Sequence, residues 1–324
     1  MKTLLHIFFF LFATVFFFTA CEKQNMEKAK DLQKPPVPTE EYLANLRAYK
    51  KSKHQIAFGW LGGSGGEGKF PSLGLRWEGV PDSMDIVSLW GGIPVEGSPQ
   101  MKAMRFVQEQ KGTRITQVYF ISFFDNLIKK DFSNLPEQEA VDAMAKAIAD
   151  TNSRYQLNGL DIDYEPNEAS ERNSIFAREG GLERLVKAFS PYFGPKSNTG
   201  HLLIVDGYMR NGVEPYIDYY VSQAYSTSSP QSLQSRYNTA ETYGIPPEKF
   251  VITENFESYW STGGVNYRDP VRGTIPSLLG MAYWNPRQGQ KGGAGTYHME
   301  YEYALKPDYR YIRQAIQIMN PAVQ

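Results

Sequence analysis

From residue 54 onward, short apolar runs of β type alternate with segments of helical spacing. The β-type runs cover residues 54–61, 85–90, 114–123, 157–165, 201–207, 216–225, 250–255 and 278–284. Several are apolar almost without interruption, as in Leu202-Leu203-Ile204-Val205, the pattern of a strand covered on both faces of a parallel sheet. Between them, Ala140, Met144, Ala147 and Ile148 form a helical stripe with Ser133 as its candidate cap. Leu182, Leu185, Val186 and Phe189 form a second, and Tyr311, Ile312, Ala315, Ile316 and Met319 close the chain with a third. Strand candidates interleaved with helices in this number predict an α/β fold, a single (β/α)8 TIM barrel over residues 39–324. A doubly wound open sheet is the alternative that strand counting leaves open.

The N-terminus breaks the alternation. Residues 1–20 hold one Lys, an apolar run from Leu4 to Phe18, and then Thr19-Ala20. The run is shorter than the roughly 20 residues that span a bilayer, which points to a signal peptide. Cys21, the chain's single cysteine, follows directly. The arrangement resembles a bacterial lipobox, whose cysteine is acylated and becomes the mature N-terminus. That resemblance implies lipid attachment at Cys21 and an exported lipoprotein of the outer membrane, carried on the cell surface. Polar residues up to Lys34 and the stiff Pro35-Pro36-Val37-Pro38 make 21–38 a tether. Thr39 then caps a short helix, with Glu40 and Glu41 at its positive end and Leu43, Leu46 and Tyr49 on one face.

Composition narrows the function. A hydrophobic content of 41% is too high for disorder, so a substantial core is expected. The formal net charge of −1 argues against nucleic acid as a partner, and against membrane contact other than through the lipid. One cysteine excludes a disulfide framework or zinc ribbon. His54, His201 and His298 are far apart without metal-ligand spacing, so no metal or other cofactor is expected. Gly63-Ser64-Gly65-Gly66-Glu67-Gly68-Lys69-Phe70 nearly spells a phosphate-binding loop. Phe70, however, stands where a hydroxyl must hold Mg²⁺, so a loop at the barrel mouth is the better reading.

The chemistry concentrates in Asn158-Gly159-Leu160-Asp161-Ile162-Asp163-Tyr164-Glu165. Strand side chains alternate faces, so Asp161, Asp163 and Glu165 share one face at about 6.5–7 Å spacing. Three acids on a buried strand repel and desolvate one another, which raises at least one pKa. The last of them lies at the strand's C-terminal end, where barrel active sites form, and Glu165 is the candidate general acid.

This segment resembles the signature of glycoside hydrolase family 18, Asp-Gly-x-Asp-x-Asp-x-Glu, with Asn158 in place of the first Asp. The resemblance implies that Glu165 protonates the glycosidic oxygen and that Asp163 positions the substrate's N-acetyl group. The acetamido oxygen is then the nucleophile, the substrate-assisted exception to the two-carboxylate scheme. Asp161 would hold Asp163 and share its charge. Tyr225, ending the sixth run, is similar to the family's tyrosine that bonds the acetamido group, and Trp284, ending the eighth, to the tryptophan that floors the sugar site. Trp60 and Trp90 end runs one and two and are candidates to line the sugar sites. Glu254, Glu257 and Asp206 are candidates for hydroxyl contacts whose facing depends on register. Two departures stand out: the third run lacks Ser-x-Gly-Gly, and Asn158 is uncharged, which would alter the coupling through Asp161.

Gln223 stands where chitinases of the family carry Met, and roughly two dozen residues separate Glu254 from Leu278, too few for an added domain. The short segment implies an open cleft suited to bulky branched substrates, Gln223 leans the same way, and the resemblance implies partners that are N-acetylglucosamine-containing glycans or glycoproteins. An endo-β-N-acetylglucosaminidase acting on N-glycans is the leading expectation. A chitinase, or a non-catalytic glycan-binding lipoprotein of the same fold, are the competing ones.

Overall fold

A computed structural model describes residues 38–63 and 73–321. The predicted signal segment, Cys21, the tether apart from Pro38, and most of the glycine-rich loop after Gly63 lie outside the described residues. The chain divides into two units, Met1–Tyr42 and Leu43–Gln324. Of the first, the described part holds the start of helix Glu40–Lys51, capped as predicted: Thr39 Oγ1 accepts from the Tyr42 amide at 3.1 Å.

The second unit is a closed barrel of eight parallel strands in the order β1-β10-β7-β6-β5-β4-β3-β2. Its strands are β1 (Ile56–Gly62), β2 (Ile86–Trp90), β3 (Arg114–Phe120), β4 (Gly159–Tyr164), β5 (Leu202–Gly207), β6 (Tyr219–Gln223), β7 (Phe250–Asn255) and β10 (Gly293–Tyr297). A separate antiparallel hairpin of β8 (Asn266–Asp269) and β9 (Gly273–Pro276) sits between β7 and β10. The predicted fold is therefore the observed one.

Two layers of core follow from the period-two alternation. Ile56, Phe58, Ile86, Val118, Leu202, Ile204, Val221 and Val251 point inward and fill the barrel. The opposite faces of the same strands, such as Leu160 and Ile162, pack against the surrounding helices. Helix Glu137–Arg154 buries Ala140, Met144 and Ile148, and Gly181–Phe189 buries Leu182, Leu185, Val186 and Phe189. Arg310–Met319 contributes Ile312, Ala315, Ile316 and Met319. Ser133 is not the cap of the first of these; the helix starts later, after Pro136, whose fixed φ suits a helix entry. Between β5 and β6 the only helical element is the single turn Glu214–Tyr216.

The eighth strand is where expectation and structure part. Residues 277–283 form helix Ser277–Tyr283, with Leu278, Met281 and Ala282 buried at helical spacing. The barrel closes instead through Gly293-Ala294-Gly295-Thr296-Tyr297, which pairs with β1 on one side and β7 on the other. A Cβ on Gly295 would overlap the Phe58 carbonyl, and one on Gly293 the Ile56 carbonyl. Close approach to β1 thus demands glycine, and the strand shows no apolar run.

Candidate active site

The C-terminal ends of the strands enclose a cavity of about 260 Å³ lined by Trp60, Trp90, Phe120, Asp163, Glu165, Asp206, Gln223, Tyr225 and Tyr297. On β4, Asp161 and Asp163 project into the barrel and Glu165 stands at the rim, as the alternation requires. Asp161 is fully buried; its Oδ2 accepts from Trp60 Nε1 at 2.9 Å and from Ser88 Oγ at 2.7 Å. Burial pushes its carboxyl up to about 6, against the opposing pull of the Ser88, Trp60 and Asp206 bonds. Asp163 is raised well above the ordinary range, by burial first and then by the charges of Glu165 and Asp161. Glu165 is only half-buried, and burial with the neighbouring Glu168 raises it more modestly. A carboxyl that keeps its proton towards neutrality can donate it.

Gln223 ends β6 and joins two acids: its Nε2 donates to Asp206 Oδ1 at 2.7 Å, and its amide also bonds Glu165. Tyr225 follows two residues later, its ring stacked on Tyr297 with centroids 6.1 Å apart. The turn after Tyr225 is held from below. Ser226 adopts a left-handed conformation, and its amide donates to Glu254 Oε1 at 2.9 Å. The Asn255 amide donates to the same oxygen at 2.7 Å, and Ser277 Oγ donates to Glu254 Oε2. Trp90 stands edge-on to both Tyr297 and Phe120, at 5.1 and 5.4 Å between ring centroids, and completes an aromatic wall. Aromatic faces of this kind suit the apolar face of a sugar ring.

Residues 19–318 match the family described as glycoside hydrolase family 18, BT1044-like. The chain belongs to glycoside hydrolase family 18. It is a glycosidase. Endo-β-N-acetylglucosaminidase F2 of Elizabethkingia meningoseptica is 27% identical over 319 residues, covering 86% of each chain. The solved BT1044 structure, a selenomethionine form carrying a Glu-to-Gln substitution, is 29% identical at a TM-score of 0.74 and covers 88% of this chain and 94% of its own. The apo endo-β-N-acetylglucosaminidase of Cordyceps militaris is 26% identical at a TM-score of 0.66, covering 88% and 97%.

Of the residues that the family 18 resemblance singled out, Asp161, Asp163, Glu165, Gln223 and Tyr225 come together. Trp284 does not join them. It ends the outer helix Ser277–Tyr283, where its ring packs edge-on to Phe250 at the start of β7, towards the far end of the barrel. Its carbonyl accepts from Lys291 Nζ at 2.7 Å. The aromatic residue at the end of the true eighth strand is Tyr297, which the missed strand concealed. The third strand, which lacks Ser-x-Gly-Gly, gives Asp161 no hydroxyl; the one that bonds it is Ser88 on β2. Asn158 lies on the opposite face of β4 from the acids, and its Oδ1 accepts from the Ile115 amide at 2.9 Å and Gln108 Nε2 at 2.7 Å. It pins the entry of the strand, so replacing Asp there leaves the acid row intact. Glu254 is a clamp beneath Tyr225, and Glu257 is exposed on the short helix Phe256–Tyr259. Asp206 faces inward with the acids.

Proposed function

We propose that the protein is a lipid-anchored endo-β-N-acetylglucosaminidase that cleaves between the two core N-acetylglucosamine residues of N-glycans. The observation that carries this reading is the position of Glu165 between two cavities. The 260 Å³ cavity holds Asp163 and Tyr225 beside it. A second, of about 410 Å³, shares Glu165 and Gln223 and is lined by Tyr208, Met209, Arg210 and Arg236. An acid that protonates an oxygen between two sugars needs room on both sides. The sugar whose acetamido group reacts belongs beside Asp163 and Tyr225, and the protein-linked remainder in the other cavity.

In this scheme Glu165 gives its proton to the glycosidic oxygen as the bond breaks. The substrate's acetamido oxygen closes on the anomeric carbon from the opposite face, and Asp163 stabilises the positive charge that develops on the resulting ring. Tyr225 donates to the acetamido oxygen. Glu165, now a carboxylate, then takes a proton from the attacking water, which opens the ring with retention. Relatives named as endo-β-N-acetylglucosaminidases support the substrate class. The segment 256–292 between β7 and β10 is longer than the sequence suggested, but among its described residues it builds only a hairpin and short helices, which suits an open cleft.

The test is mass spectrometry of glycans released from a panel of N-glycoproteins, with Glu165→Gln in parallel. Release that leaves one N-acetylglucosamine on the protein, and is lost in the variant, is the expected result. Turnover of chitin oligomers with no release from glycoproteins would overturn the substrate. For the anchor, Cys21→Ser is expected to move the protein from the membrane to the soluble fraction of fractionated cells.

A further inference from the structure

Asp206 is the penultimate residue of β5, a strand from which the reaction outlined above takes no group. Its Cα pairs with that of Asp163 in the parallel register, and the two side chains enter the barrel together. Asp161, Asp163 and Asp206 are 0%, 3% and 1% exposed, so none is compensated by bulk solvent. Asp206 Oδ1 accepts from Gln223 Nε2. Asp206 Oδ2, Asp161 Oδ1 and Asp163 Oδ1 are buried and meet no protein donor, although the strand register sets Asp206 beside Asp163. Adjacent buried carboxylates bring only lone pairs to one another, so a proton kept on one of them relieves the repulsion and supplies the missing donor.

The surroundings decide which acid keeps that proton. Asp161 Oδ2 receives two donors, Trp60 and Ser88, which favour its anion. Asp163 must be anionic to serve the acetamido group. Asp206 receives one neutral amide and faces two acids, and burial followed by the charges of Asp163 and Asp161 raises it well above the carboxylate range. The other titratable groups acting on the pair are Tyr220 on β6, Tyr225 after it, Tyr297 on β10, and Glu165 and Glu171 beside Asp163, none of them a cation.

We propose that Asp206 is a positioning residue for the hydrolysis, remaining a neutral acid that donates to Asp163 and turns that carboxylate's free oxygen towards the N-acetyl group. The proposal rests on the functional reading above. It explains why Gln223 binds Asp206: an amide N–H held on one oxygen leaves the other to carry the shared hydrogen. It also gives β5 a part in a reaction whose proton donor and acetamido partners come from the ends of β4 and β6.

Two substitutions separate the proton from the charge. Asp206→Asn can donate to Asp163 through its amide while its carbonyl accepts from Gln223. Asp206→Leu fills the same space without a donor. In the full-length protein the Asn variant is expected to keep kcat within about threefold. The Leu variant should lose ~10-fold or more in kcat with KM little changed, as the loss of one hydrogen bond to a charged group implies. Its kcat/KM should also begin to fall at a higher pH on the acid side, because Asp163 without its donor holds a proton more tightly. Equal loss in both variants would overturn the proposal, since the charge and not the proton would then matter; so would wild-type rates in both. A readout independent of turnover is the infrared difference between wild type and Asp206→Asn at pH 7. A neutral carboxylic-acid carbonyl band lost in the variant is expected, and a carboxylate band in its place would refute the proton on Asp206. A wild type that shows the acid band but hydrolyses no glycan would sink the functional reading and leave the protonated Asp206 standing.

Discussion

Glu165 and Asp163 are two residues apart on one strand, yet their surroundings assign them opposite tasks. Glu165 sits at the rim, where partial burial and then Glu168 raise its carboxyl and Gln223 restrains the rise. It holds a proton long enough to deliver one. Replacing it by Gln keeps the shape and removes the proton, so hydrolysis should fall by ~10²–10⁴-fold while glycan affinity, measured by calorimetry, is kept. The acid side of the rate profile belongs to the buried cluster. Burial raises both Asp161, to about 6, and Asp163, and protonating them as the pH falls removes the negative charge set beside the developing cation. The rate is therefore expected to drop as the pH falls through about 6, read from kcat/KM on a glycopeptide across buffered pH steps. A flat profile down to pH 4 would contradict the cluster's part in the chemistry. These three acids were legible in the sequence because alternation alone puts them on one face. Asp206 could be named as a candidate but not placed, and Ser88 was not legible at all, since a single polar residue in an apolar run says nothing of which neighbour it meets until register is known.

At the scale of elements, the site depends on two seams. Glu254 on β7 ties the turn after Tyr225 to the start of helix Ser277–Tyr283 through the Ser226, Asn255 and Ser277 donors. Glu254→Ala strands these buried groups, which should cost about 2–4 kcal/mol in urea denaturation and lower kcat through a displaced Tyr225. Glu254→Gln can still accept from both amides and donate to Ser277, and should recover most of the loss. The second seam is β1 against β10. Gly295→Val puts branched atoms into the Phe58 carbonyl and should leave little soluble protein, whereas Gly289→Ala, whose Cβ would come no nearer than 3.3 Å to Pro247, should express normally. A soluble, active Gly295→Val protein would mean that the barrel does not close there. This seam is also the place where the sequence misled. Seven strands announce themselves by apolar or alternating runs, whereas Gly293-Ala294-Gly295-Thr296-Tyr297 is shaped by how near β1 comes. The run 278–284 looks like a strand because it is apolar, and only its period, with Leu278, Met281 and Ala282 facing inward, marks it as a helix. Placing Trp284 in the sugar site was a direct consequence of that period.

For the whole molecule, the catalytic site and the proposed lipid attachment are separable by position in the chain. Every residue of the two cavities flanking Glu165 lies between Trp60 and Tyr297. The core layers draw on residues from Ile56 to Met319. The anchor assigned to Cys21 precedes all of them. A chain that begins at Thr39 should therefore keep the full-length kcat/KM on a soluble glycopeptide and the same thermal midpoint, while losing all membrane association. The net charge of −1 adds a second expectation for the same preparation. With neutral glycans as substrate and no large field to screen, raising the salt from about 0.05 to 0.5 M should change kcat/KM by less than about twofold. On intact glycoproteins held at a membrane surface the two forms should diverge, because anchoring raises the local concentration of enzyme without altering the site. If the shortened chain instead loses activity on the soluble glycopeptide, residues 1–38 contribute to the site itself, and the division between tether and catalytic body would have to be redrawn.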